Sequence, residues 1–108
     1  MVQAPRIDAA ALGGLEQINL HAAGIDVGGS ENYVGLPPHA LKPGESAVRV
    51  FGVFNDDLDA TVQCLKDYGI TTVAMEATGI YWMALYDKIE ADGIEVVLVE
   101  PRSVKQVP

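Results

Sequence analysis

Residues 71–99 read TTVAMEATGIYWMALYDKIEADGIEVVLV, and the fold is decided by how the hydrophobic period changes along them. Thr71 to Met75 is a short, β-prone apolar run, which suits a buried strand. Thr78 can cap a helix in which Trp82, Leu85, Tyr86 and Ile89 line one face, and Gly93 supplies its stop. Ile94 to Val99 then runs apolar almost without interruption, as strands do when both faces of a parallel sheet are covered. A strand, a helix and a second strand in this order make a βαβ unit.

Upstream, Asn55 and Asp56 offer N-caps, Leu58, Val62 and Leu65 fall at helical spacing, and Gly69 is a second stop. Further back, Ala22 to Val27 closes on Gly28-Gly29, Asn32 to Leu36 leads into a Pro37-Pro38 to Gly44 loop, and Ala47 to Phe54 is rich in Val and Phe. These three runs read as an antiparallel meander. The chain is therefore expected to be an α/β protein of order β-β-β-α-β-α-β, a mixed five-stranded sheet with helices packed on it. That order is similar to the ribonuclease H fold.

With 108 residues and 49% hydrophobic content, the chain is long enough for one domain with one core. Residues 1–20 are read as an extension outside that core, free to be disordered, and residues 21–108 as the domain. Seven basic residues against fifteen acidic ones give a formal charge of −8, opposite to the footprint of a free-standing nucleic-acid binder. A single Cys64 excludes an internal disulfide, and no Cys/His cluster suggests zinc. With no leader-like or membrane-spanning run in the sequence, the expectation is a cytoplasmic protein without a membrane partner.

Two acids stand out. Asp26 lies inside an apolar strand, where an ionised carboxylate needs a partner or a cation. Glu76 ends the Val73-Ala74-Met75 strand at the carboxyl edge, where open α/β sheets bind ligands. If the first and fourth strands are neighbours, the two carboxylates face one pocket and suit Mg²⁺ or Mn²⁺. Read singly, each also has a structural explanation, as a turn cap or as an acceptor at a helix start.

Gly24-Ile25-Asp26-Val27, the block from Val73 through Glu76-Ala77-Thr78-Gly79-Ile80-Tyr81 to Trp82, and the final run from Val99 to Pro108 resemble, in order and spacing, the DEDD transposases of bacterial insertion sequences. The resemblance covers about residues 22–108, and the block around Glu76 is its specific part. It implies a RuvC-like domain of ribonuclease H fold whose four acids bind divalent metal for DNA strand cleavage and exchange. It also implies a serine nucleophile on a separate carboxyl-terminal domain, DNA as partner, a guide RNA in some members, and a homo-oligomer when intact. Asp26 and Glu76 match the first two acids, as catalytic and metal-binding residues. The third and fourth would lie beyond Lys105-Gln106-Val107-Pro108, so the chain alone is expected to bind Mg²⁺ or Mn²⁺ weakly and to cleave no DNA.

Thr78 and Gly79, at an expected helix start, can offer N–H groups to a nucleic-acid phosphate. Tyr81, off the apolar stripe that includes Trp82, is the better candidate for stacking on a base, and Arg102 and Lys105 can meet phosphates. Capping by Thr78 and a solvated tail for the two cations are the plainer alternatives. Two other functions stay open. Asp26-Val27-Gly28-Gly29-Ser30 fits the phosphate turn of ATP-binding modules of the sugar-kinase and actin type. The acidic charge fits a non-enzymatic interaction domain.

Overall fold

The computed structural model describes residues 6–7, 20–76 and 79–99. Its elements are strands β1 (Arg6–Ile7), β2 (Ala22–Val27), β3 (Asn32–Gly35) and β4 (Val48–Phe51), helix α1 (Asn55–Asp67), strand β5 (Thr72–Glu76), helix α2 (Trp82–Ala91) and strand β6 (Glu95–Val99). A short 3₁₀ turn, Pro38–Ala40, sits in the loop between β3 and β4. The sheet runs β1-β6-β5-β2-β3-β4. The pairs β2–β3 and β3–β4 are antiparallel, while β2–β5 and β5–β6 are parallel.

The sequence reading is corrected at four places. Residues 1–20 are not wholly outside the sheet, because Arg6–Ile7 pairs parallel with β6 and adds a sixth, two-residue strand. β4 ends at Phe51 rather than Phe54, because the Phe54 N–H is taken by Asp57 Oδ2 at 3.1 Å. That bond makes Phe54, not Asn55 or Asp56, the N-cap of α1, with Asp57 at N3 closing half of a capping box. Finally, α2 starts only at Trp82, because Gly79 has φ 63°, a left-handed conformation that a helix cannot include.

Both helix stops fall where the glycines predict them, and by the same hydrogen bonds. Gly69 donates to the Lys66 carbonyl at 3.0 Å and Ile70 to that of Leu65 at 2.9 Å, with Gly69 at φ 69°. Gly93 and Ile94 repeat this on Glu90 and Ile89. This is the Schellman arrangement, and its companion apolar contact is available, because Leu65, Ile70, Ile89 and Ile94 are all buried. Each helix is thereby turned straight into the next parallel strand.

The core lies on one face of the sheet. Ile25, Val27, Val34, Val73, Met75 and Val96 meet Leu58, Val62 and Leu65 of α1 and Leu85 and Ile89 of α2 in one cluster. On the opposite face, alternation places Gly24, Asp26, Tyr33, Gly35, Val48, Val50, Ala74, Glu76, Val97 and Val99. Ala74, Val97 and Val99 are buried there, whereas Tyr33, Val48 and Val50 are exposed. β4 is an edge strand. The Ser46 hydroxyl donates to the Val48 carbonyl at 3.0 Å and accepts from the Val48 amide at 3.2 Å.

Candidate metal site and its surroundings

Asp26 and Glu76 are register partners on the adjacent parallel strands β2 and β5. Core packing fixes that pairing. A slip of one residue would turn Val73 and Met75 off the helix-covered face, and each of these side chains contributes roughly 1.5–3 kcal/mol by burial. The hydrophobic pattern thus sets two carboxylates side by side at the carboxyl edge, on strands about 4.8 Å apart. Asp26 is exposed and Glu76 half-buried, which corrects the expectation of a buried Asp26 carboxylate: it points from the uncovered face of the sheet, so water can solvate its charge and the pair opens to solvent.

Two hard oxygen donors at this spacing suit one Mg²⁺ or Mn²⁺ ion, with water filling most of its shell. Among the described residues, no group of three or more His, Cys, Asp or Glu side chains is arranged to hold a metal. Asp26 and Glu76 are the two described carboxylates that the strand register sets together there, and a donor set of two fits weak binding.

The turn that follows Asp26 is held from below. Gly28 N–H is shared between the Glu31 carbonyl at 3.0 Å and Asn32 Oδ1 at 3.3 Å. Asn32, only 1% exposed, uses its other end to donate from Nδ2 to the Gly52 carbonyl at 3.3 Å. One buried amide therefore ties the turn after β2 to the end of β4. Gly28 is required by proximity, because a Cβ there would come within 2.7 Å of the Glu31 carbonyl oxygen.

Across the strand from Asp26 stands Tyr33. Its hydroxyl donates to Glu31 Oε1 at 2.7 Å. That bond and the Glu31 charge push the phenol pKa up, with smaller contributions from burial and from the Asp26 charge. Neither the Asn32 clamp nor the Glu31–Tyr33 pair was singled out from sequence. The available signal was Asn32 itself, a residue depleted in strands yet opening one here.

On the other side of the acids, the chain leaves β5 and reaches Tyr81. The Tyr81 ring lies against both Gly29 and Gly79, so that a Cβ added at either glycine would touch it at 3.8 Å. Trp82 Nε1 donates to the Gly79 carbonyl at 3.1 Å, and the Trp82 ring meets Tyr86 edge-on at 5.7 Å. Trp82 is packed against the core, as its spacing predicts, and Tyr81 is not. Gly79 lies in a turn, three residues before the helix. Thr78, Arg102 and Lys105 lie outside the described residues.

An open cleft of about 750 Å³ lies elsewhere, between α1 and β4 on the helix-covered side, and His21, Lys42, Arg49, Cys64 and Tyr68 are among its walls. Its polar groups are largely engaged with one another. Arg49 Nη2 donates to the Tyr68 hydroxyl at 2.6 Å, which donates to Glu45 Oε2 at 2.8 Å. The Arg49 guanidinium also sits 5.1 Å from the Tyr68 ring centroid. We read this as a strut between helix and hairpin. Burial pushes the Cys64 thiol pKa up, against the pull of Arg49, which disfavours a nucleophilic role.

No protein-family model and no curated protein matches this chain. No helix among the described residues is long and apolar enough to cross a membrane.

Proposed function

We propose that the chain is the amino-terminal, ribonuclease-H-like part of a DEDD-type transposase, with Asp26 and Glu76 as the first two acids of a divalent-metal site for DNA strand cleavage and exchange. The observation that carries this reading is the register pairing of the two acids at the carboxyl edge of adjacent parallel strands. The sheet order β4-β3-β2-β5-β6 supports it, being three antiparallel strands continued by two parallel ones as in a ribonuclease H fold. The resemblance of the block around Glu76 to that family is what favours a transposase over other proteins of this sheet order.

In this role the two carboxylates hold and orient the ion. When bound, Mg²⁺ or Mn²⁺ supplies charge to stabilise the entering and leaving oxygens of phosphodiester transfer. Two of the family's four acids are present, so activity requires the further acids and a nucleophile from the rest of such a protein. Basic surface for DNA must come largely from there too. Three of the described cations are already paired: Lys66 with Asp92 at 3.2 Å, Lys88 with Asp59 at 2.9 Å, and Arg49 with Glu45 at 3.9 Å.

The phosphate-turn alternative is less well supported. The Gly28 N–H that would face a phosphate is already bonded twice, and Glu31 adds a negative charge to the same turn.

Calorimetric titration with Mn²⁺ tests the proposal. Weak binding is expected for the wild type, and Asp26→Asn or Glu76→Gln should abolish it while leaving the circular dichroism spectrum unchanged. Equal binding by both variants would place the ion elsewhere and sink the assignment.

A further inference from the structure

We infer that Tyr81 is a stacking platform for an unpaired nucleotide, so that the strand offered to Asp26 and Glu76 arrives single-stranded or with a base turned out of the duplex. The inference rests on the metal-site reading above and names the form of its substrate.

Three observations carry it. The first is position: the Tyr81 ring lies against Gly29 and Gly79, the turns that leave β2 just after Asp26 and β5 just after Glu76. It therefore lies by the chain three residues beyond each of the two acids. The second is availability. Tyr81 is 60% exposed although Trp82, the next residue, packs against the core, and Ile80 and Met83 beside it are 73% and 51% exposed. Gly29 and Gly79 set no side chain against the Cδ2–Cε2 edge of the ring, which keeps that approach uncrowded.

The third is charge. With a net charge of −8 and the Lys66, Lys88 and Arg49 side chains in ion pairs, the described surface has little with which to grip a phosphate backbone. Stacking on a neutral ring is attraction that such a surface can still offer. In a continuous duplex each base face is covered by its neighbours, so only an unstacked base can use the ring.

The test is photocrosslinking of the chain to an oligonucleotide carrying 5-iodouracil, at low salt with Mn²⁺, the crosslinked residue being mapped by mass spectrometry. Crosslinking at Tyr81 is expected with a single strand and not with the matching duplex. Tyr81→Ala should weaken single-strand binding roughly 5- to 150-fold, the range set by one base–aromatic stack, whereas Tyr81→Phe should keep it. No crosslink at Tyr81, equal capture of duplex, no oligonucleotide binding, or a patch that binds only protein would each overturn the inference.

The Mn²⁺ titration separates the two ideas. Metal bound at Asp26 and Glu76 with a silent Tyr81 refutes the platform alone. Tyr81 crosslinked without metal at the acids refutes the metal reading and leaves the platform standing.

Discussion

Replacing Asn32 separates a tethered turn from a merely compact one. Asn32→Ala removes two bonds, both at 3.3 Å and so at the weak end of the range. Gly28 N–H keeps its bond to the Glu31 carbonyl, so the larger loss falls on the Gly52 carbonyl and on the space vacated by a side chain only 1% exposed. A lost partner in a buried setting costs about 1–3 kcal/mol, which for a domain of this size is a fall in melting temperature of about 5–20 °C.

Asn32→Asp sharpens the test. It preserves the acceptor for Gly28 but sets an oxygen against the Gly52 carbonyl, so burial and repulsion should raise its pKa in the folded state. Both states are protonated below the unfolded value of about 3.9, and there the variant is least impaired. As pH climbs from that value toward the raised folded pKa, only the unfolded chain ionises freely, and stability falls. Urea melts followed by circular dichroism at several pH values give the curve. A variant as stable as wild type at pH 7, with no loss between pH 4 and 7, would refute the claim that this amide is a buried tether.

Gly28→Ala forces a Cβ to within 2.7 Å of a backbone oxygen; the turn must shift, and Mn²⁺ binding at Asp26 should weaken while the melting temperature drops. The raised phenol pKa of Tyr33 stabilises the folded state below the unfolded value of about 10, and this is lost as pH rises through the folded value. Glu31→Gln should lower that pKa and narrow the alkaline window, read from tyrosinate absorbance against wild type. An unchanged titration would show that Glu31 does not hold the phenol.

Much of the scaffold was legible because it rests on local rules. Gly69 and Gly93 each mark a helix stop, and the spacing of Leu58, Val62 and Leu65, or of Leu85 and Ile89, marks the buried face. The order of strands and helices follows from these signals. What was not legible depends on partners distant in sequence or on competition for one hydrogen bond. Phe54 has no capping side chain, and its role comes from Asp57 reaching back to its amide. Arg6–Ile7 has no strand signature of its own and pairs with a strand about ninety residues away.

For the candidate site, the two acids and Tyr81 could be named from sequence because an acid in or at the end of an apolar strand and an aromatic off its stripe are local anomalies. Their joint surroundings could not. Asn32 is an unusual strand opener, but its sequence neighbours do not name Gly28 and Gly52 as its partners, and nothing in Gly28-Gly29 announces that Tyr81 will lie against the second of them. The left-handed Gly79 was hidden as well, because Thr78-Gly79 reads like the beginning of a helix that in fact starts later.

Ser46 has a further consequence, for behaviour in concentrated solution. β4 ends the sheet and shows Val48 and Val50 to water, a combination that invites a second molecule to extend the ladder into a fibril. By occupying the amide of Val48 and one lone pair of its carbonyl, one hydroxyl leaves an incoming strand no free donor at that step. A small polar side chain two residues ahead of an exposed valine thus acts against self-templated growth, at the point where the sheet is least protected.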